Sequence, residues 1–455
     1  MVTYNKEQET VPATTVKLTT SWTASEKFGF RVICIYVLQL CVPYRARFYE
    51  GLFGFEWLSN WQRLSGLTGI GSPQFIDVGD DIWSWYSYIN LAVAFGIAII
   101  IAVIWSLFNR KRKEYNVLYY WILLIARYRA ALGIIAWGLK KFIPKQMELP
   151  SRTFLETAFG DFSEQKVYWQ SVGITQHYEI FLGLAEITAG VLLLFRKTTA
   201  LGAALLAIVL LNICIANHAY DGMVHVGSLT YVLLGVIILW PYFPHIWKLL
   251  VKKQDAALQI YYLSFSVPWQ KYSRIILKTL VFSVFIFYSL YLHWKDDVGY
   301  RYPHDYPGLA NAAGAYEVSE FRLNSKLVAY SPLDSVRWQD AVFEDWTTLT
   351  FKVNRAQEMD NDNTGREGKK SIDKRFEFRG IGGGRVYFNY EADTVNKVLY
   401  LQNKNKEYRH QRQVLHYTMP SETRIILSGI NEYKDSIFVV LDKMNKQYTL
   451  YEERK

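Results

Sequence analysis

The chain has 455 residues, of which apolar side chains make up 51%, aromatic rings 16% and charged groups 20%. Its formal net charge of +10 would point to nucleic acid if it sat on one surface. It does not: residues 300–455 hold 24 Lys and Arg against 22 Asp and Glu, and residues 1–299 hold 27 against 19. Cys34, Cys41 and Cys214 form no CxxC pair, which argues against dithiol redox chemistry and a zinc knuckle; they read as small packing residues.

Residues 1–27 are polar and threonine-rich and lack the apolar core and cleavage site of a secretory signal, so they read as a cytoplasmic tail. About seven apolar stretches follow, each near the roughly 20 residues a membrane-spanning helix needs. They run Phe28–Tyr44, Tyr86–Phe108, Val117–Leu139, Thr175–Phe195, Thr198–Asn217, Val226–Pro244 and Arg274–Trp294. The first reads as an uncleaved signal anchor. Trp83, Trp85, Tyr86, Tyr119, Tyr120, Trp240 and Tyr242 crowd the span ends as an aromatic belt. The whole of 28–295 is predicted to be a helical membrane domain.

Basic residues collect in three loops: Arg110 to Lys113, Arg196-Lys197, and Lys248, Lys252, Lys253 and Lys271. Even numbers of spans separate them, so all three share one side, and the positive-inside rule makes that side the cytoplasm. The predicted location is a bacterial inner membrane crossed several times, with the N-terminus inside and the C-terminal domain in the periplasm. The mixed-charge loops Arg45–Trp85 and Lys140–Ile174 would face out, the first holding an interfacial helix and the second capping the bundle.

Residues 296–315 read as a linker, and 316–455 as an exported antiparallel β barrel or sandwich. Leu349, Phe351 and Val353 alternate with polar residues, as do Val386, Phe388 and Tyr390, and Ile437, Val439 and Leu441. Polar turns at Asp360–Gly368, Gly380–Gly384, Gln402–Glu407, Ser428–Asp435 and Lys443–Gln447 separate the runs. The Gly380–Gly384 run lies between strands rather than before a helix, so it is no phosphate cradle.

Charges inside hydrocarbon are costly and normally face other helices or water. Arg127 lies ten residues into the third span and Glu186 nine from the end of the fourth, both roughly 14–15 Å deep. The expectation is an intramembrane Arg127–Glu186 pair. Arg129 points about 200° away from Arg127 and needs another partner. A second polar layer gathers at the outer ends: Lys141, His177, Glu179, Asn212, Asn217, His218, Tyr220 and Asp221, with Asn90 at the same level. Such a layer can bind an anion, relay protons or hold a quinone head group; equally, its members cap helix ends and bond across the bundle. The histidines lie near the surface, which disfavours haem, and no metal site is expected.

The segment Phe181-Leu-Gly-Leu-Ala-Glu186-Ile-Thr-Ala-Gly190, continuing through Phe195-Arg-Lys-Thr-Thr199-Ala-Leu-Gly202, resembles the DoxX family. Arg127-Tyr128, Gly138-x-x-Lys141-x-x-Pro144-x-Gln146 and Asn217-x-x-Tyr220-Asp221 extend the resemblance over about 119–244. Long members of that family with extra spans and an exported β tail match the layout. Where relatives often carry a basic residue after Tyr-Asp, this chain has Gly222 to His225. The resemblance implies a subunit of a membrane complex with a quinone-linked redox role, the outer layer holding the quinone or an anionic donor. It brings no agreed catalytic residue or cofactor. The alternatives are a non-catalytic anchor or assembly factor whose β domain docks an envelope partner, and transport of lipid or small molecules.

Overall fold

A computed structural model describes residues 21–43, 46–69, 73–78, 85–147, 149–222, 224–256, 261, 263, 267–295, 302–361 and 370–452. Most of the predicted N-terminal tail, Trp83, linker residues 296–301 and turn residues 362–368 lie outside them. The chain divides into two compact units.

Unit one holds residues 1–136, 186–214 and 225–289. Helix α1 (Ala24–Cys41) starts at a capping box in which Thr23 accepts from the Glu26 amide and Glu26 reaches back to Thr23. The loop that follows carries α2 (Ala46–Phe53) and α3 (Trp61–Thr68), two short helices where one interfacial helix is expected. Then come α4 (Ile89–Phe108) and α5 (Asn116–Phe142), of which residues up to 136 belong to this unit. Helix α1 packs on α4, with Gln39 Nε2 donating to the Ala94 carbonyl at 3.0 Å and Tyr36 edge-on to Phe95.

Unit two holds residues 137–185, 215–224 and 290–455. It begins with the end of α5 and continues through α6 (Arg152–Leu155), α7 (Glu164–Gly173) and the first half of α8 (Gln176–Leu193). Unit one resumes with the second half of α8 and α9 (Thr199–Ala219) up to residue 214, and again with α10 (His225–Leu239), α11 (Phe243–Leu250) and α12 (Pro268–Phe282); a π-helical turn at Ser283–Tyr288 leads to α13 (Ser289–Lys295), which from residue 290 belongs to unit two.

Among the described residues, five helical runs are long and apolar enough to cross a membrane: Trp85–Phe108, Asn116–Phe142, Thr199–Ala219, His225–Leu250 and Pro268–Lys295. The protein is therefore a multi-pass membrane protein by composition. The expected count of seven is corrected to five. The two predicted stretches that fall short are helical but carry charge: α1 contains Glu26, Lys27 and Arg31, and α8 opens on Gln176, His177 and Glu179 and holds Glu186.

The C-terminal part is a closed antiparallel barrel. Strands β1 (Gly314–Leu323), β2 (Lys326–Leu327), β3 (Asp340–Phe343), β4 (Thr348–Lys352), β5 (Arg385–Asp393), β6 (Val398–Asn403), β7 (Arg412–Ser421), β8 (Arg424–Ile430) and β9 (Ser436–Lys443) pair in the order β2-β1-β3-β4-β5-β6-β7-β8-β9. Pairing of β1 with β9 closes it, leaving eight strands in the wall and the two-residue β2 as a flap. Closure removes the edges at which an open sheet would aggregate. The period-two residues fill the interior: Phe321, Phe343, Phe351, Phe388, Leu399, Leu415, Leu427 and Val439 are all 1% exposed or less. Trp338 stacks on Phe351 at 3.9 Å. Side chains occupy the barrel as a packed core rather than lining a ligand cavity.

Candidate functional site

Unit two brings seven of the eight outer-layer residues into one compact body and leaves Asn212 in unit one. Lys141, Glu179 and Asn217 are buried, His218 is half-buried, and His177, Tyr220, Asp221 and Asn212 are exposed. The buried members have local reasons for their places. Glu179 accepts the Gln146 and Met147 amides at 3.1 and 3.0 Å, so its carboxylate caps the turn that leaves α5. Gly183 lets α8 approach that segment closely: a Cβ there would lie 2.5 Å from the Phe142 nitrogen and 2.6 Å from the Gly138 carbonyl. Asn217 sits in the C-terminal turn of α9, where its carbonyl accepts the Gly222 amide at 2.8 Å and Asp221 takes a positive φ of 48°. The Asn217-x-x-Tyr220-Asp221-Gly222 motif is thus a helix C-cap as well as part of the layer.

The loop expected to cap the bundle carries α7. Tyr168 stacks on Tyr220 at 4.8 Å, and Trp169 Nε1 donates to the Gln146 carbonyl at 3.2 Å. Met147, Trp169 and Val172 share a buried cluster with Phe376 of the barrel domain. Gln146, Gln165 and Gln170 are buried, and Gln146 Oε1, Gln165 Nε2 and both Gln170 amide atoms have no hydrogen-bond partner among the described residues.

Further along, the Ser151–Gly173 segment lies on the outer wall of the barrel, and buried charges hold it there. Glu344 of the β3–β4 turn accepts the Thr153 amide at 2.8 Å and the Arg152 amide at 3.2 Å. Burial pushes its carboxyl up to about 6, against these hydrogen bonds and with repulsion from Glu377. Glu377 in turn accepts from Trp346 Nε1 at 2.7 Å and Thr348 Oγ1 at 3.1 Å and pairs with fully buried Lys404. Arg385 makes a bidentate pair with Asp340 at 2.8 and 2.9 Å and donates to the Glu156 carbonyl. Lys166 Nζ donates to the Phe376 carbonyl at 2.6 Å. The glycine run forms the expected turn before β5 and packs under this segment. Ser163 donates to the Gly380 carbonyl and Gly382 to the Asp161 carbonyl, and a Cβ on Gly383, whose φ is +65°, would fall 2.0 Å from the Asp161 carboxyl carbon.

In unit one, Arg127 and Glu186 are both buried. Arg127 donates through Nε and Nη2 to the Leu193 carbonyl at 3.1 and 2.8 Å, capping the end of α8. Arg129 finds its partners at the end of α3, the Leu67 and Gly69 carbonyls at 3.2 and 2.9 Å. Asn90 accepts the Phe75 and Ile76 amides. His225 is buried with Nε2 2.8 Å from Ser87 Oγ. Sequence reasoning missed Arg31, which is buried and donates to the Tyr115 hydroxyl at 2.8 Å and the Asn109 carbonyl at 3.1 Å. Its three-residue offset from Phe28, inside an apolar run, was the available signal. Among the described residues no cluster of His, Cys, Asp and Glu could hold a metal, and all three cysteines are free and buried.

One further element has the character of a recognition surface. Between β2 and β3 the chain exposes Leu327, Tyr330, Leu333 and Val336, with Leu333 80% exposed. Polar contacts nonetheless fix this loop. Buried Arg337 donates to the Val318, Val328 and Trp338 carbonyls, Gln339 Nε2 to the Pro332 carbonyl, and Asn354 Nδ2 to the Leu333 carbonyl. Asp334 Oδ1 accepts the Val336 and Arg337 amides.

No family model matches the chain, and no solved structure matches it. It is 36% identical over 110 residues to the uncharacterized protein YwoB of Bacillus subtilis (strain 168), a match covering 24% of this chain and 70% of that protein. By that match the chain belongs to the same family as YwoB.

Proposed function

We propose that the protein is a non-catalytic membrane anchor whose exported barrel docks an apolar site on an envelope partner. The observation that carries this reading is the Leu327–Val336 loop. A free loop with that much exposed apolar surface would collapse or aggregate; this one is held open by seven hydrogen bonds from Arg337, Gln339, Asn354 and the backbone to Asp334. An ordered apolar surface forfeits little entropy on binding, which is how a preorganised recognition element gains affinity.

The proposed location is a bacterial inner membrane. Arg110 to Lys113, Arg196-Lys197 and Lys248 to Lys271 are the basic loops, and the positive-inside rule supports a cytoplasmic side for them. Tyr168 stacks on Tyr220, which supports one side of the membrane for the Ser151–Gly173 segment and the end of α9. The barrel that this segment covers is proposed to be exported with it.

The docking reading is tested by Tyr330→Ser with Leu333→Asp. In mild-detergent extracts the native protein should run as a complex, and the double variant as the lone chain with unchanged barrel unfolding. An unaltered complex overturns it. A DoxX-like, quinone-linked redox role is the second reading, favoured by Gln146 Oε1, Gln165 Nε2 and both Gln170 amide atoms, which have no partner among the described residues, in the same unit as buried Lys141, Glu179 and Asn217. Quinone co-extracting in stoichiometric amount from the purified protein, and lost in Lys141→Ala, would favour that reading instead.

A further inference from the structure

Unit one contains a cleft of about 480 Å³ whose lining combines three cations with four apolar side chains and two hydroxyls. Lys271, Arg274 and Lys278 of α12 enter it together with Thr279, Phe282 and, from the turn after α8, Phe195. The three cations stand at i, i+3 and i+7 and so occupy one face of the helix. Lys278 Nζ lies 3.6 Å from the centre of the Phe195 ring and 5.9 Å from that of Phe282. No carboxylate lines the cleft, and among the described residues none of the three cations makes an ion pair.

This concentration of positive charge is out of keeping with its place. Pro268–Lys295 is one of the five apolar runs, and Lys278 lies ten residues into it, roughly 15 Å along the helix. A cation so placed needs an anion or water. Carboxylates offset the buried cations of the barrel wall, such as Lys404 and Arg385; here the described residues provide none. The adjoining surface is apolar and open, with Ile275, Ile276, Leu280 and Phe287 between 53% and 65% exposed. Cations beside a lipid-facing surface match a ligand with a charged head and hydrocarbon tails.

We propose that this cleft binds the phosphate of an anionic phospholipid, with Lys271, Arg274 and Lys278 around the phosphate and the acyl chains along the exposed face of α12. A soluble anion would find the same cations but gain nothing from Ile275, Phe282 and Phe287. Basic pockets between membrane helices on the cytoplasmic side hold anionic head groups by this chemistry. A second cleft of about 510 Å³, lined by Arg196, Lys197 and His245 and likewise without a carboxylate, makes the same end of the unit basic.

The test uses the full chain in nanodiscs of phosphatidylcholine mixed with phosphatidylglycerol, released in the gas phase to count the lipids each protein retains. The native protein should retain phosphatidylglycerol over phosphatidylcholine. Each cation removed should weaken that preference about fivefold, so Arg274→Gln with Lys278→Gln nearly abolishes it, while Lys278→Arg keeps it. Arg274 is exposed, so Arg274→Gln alone carries the test where the double variant does not insert. Equal retention of the two lipids by the native protein overturns the proposal, as does an unchanged preference in the glutamine variants. Inorganic phosphate displacing the retained lipid would overturn the lipid assignment in favour of a free anion.

Discussion

Strands β7 and β5 belong to one barrel yet obey different rules. In β7 the residues alternate strictly, Gln413, Leu415 and Tyr417 buried against exposed Arg412, Val414, His416 and Thr418. In β4 and β5 both faces are buried: Thr348, Leu349, Thr350 and Phe351 in one, Arg385, Val386, Tyr387 and Phe388 in the other. The inner faces are alike. The outer faces differ because Ser151–Gly173 covers β4 and β5 and leaves β7 to solvent. A polar residue on a strand therefore reports its chemistry but not its exposure, and Thr350, Arg385 and Tyr387 are interface residues of a kind the strand pattern does not mark.

The sharpest way to break this comparison is to strand a charge on the covered side. Lys404→Met leaves Glu377 buried without its cation and should cost about 3–5 kcal/mol, read as a fall in the denaturation midpoint of the purified protein. Lys404→Met with Glu377→Gln should recover much of that loss. On the open side, Val414→Thr should stay within about 0.5 kcal/mol. Equal losses at both places would mean that the covered face is not a buried interface.

Acidity sharpens the comparison next. Burial raises the Glu344 carboxyl from an ordinary 4.5 to about 6, so the folded chain keeps a proton that the unfolded chain has released. That contribution is complete below about pH 4.5 and is lost as pH rises through 6; at 1.36 kcal/mol per unit it amounts to about 2 kcal/mol. Glu344→Gln, which keeps an acceptor for the Thr153 and Arg152 amides, should flatten the stability profile between those values. A profile as steep as that of the native chain would remove Glu344 from the account.

The smallest effect belongs to the rim. Lys352 and Asp161 pair at 3.0 Å with both side chains about a quarter exposed, and Lys352→Ala should cost no more than about 1 kcal/mol. A loss as large as that of Lys404→Met would show that the seam is dry to its edge.

The same distinction explains what could be read from the chain. Leu349, Phe351, Val386, Phe388, Ile437 and Val439 announce a barrel through their period, because interior packing is local to each strand. The apolar helices Trp85–Phe108 and Thr199–Ala219 announce themselves by composition. The clamp of Glu344 on Thr153 joins positions 191 residues apart, and no local pattern carries that information. In the outer layer, the residue types were legible, but burial separated Lys141, Glu179 and Asn217 from exposed His177, Tyr220 and Asp221. That division depends on which neighbour covers each helix end. The partners of buried charge are equally non-local: Arg31 donates to Tyr115 and Asn109, and Arg127 to Leu193.

The central claim is that the Ser151–Gly173 segment and the barrel share one side of the membrane. Phe159 is 76% and Val395 88% exposed, Lys111 in the first basic loop is exposed, and the three native cysteines are buried. Single cysteines placed as Phe159→Cys, Val395→Cys and Lys111→Cys can therefore be probed in intact cells with a membrane-impermeant maleimide once the outer envelope is opened. The account predicts that Phe159→Cys and Val395→Cys label together and Lys111→Cys labels only after the inner membrane is broken. Labelling of Phe159→Cys and Val395→Cys from opposite sides would contradict it.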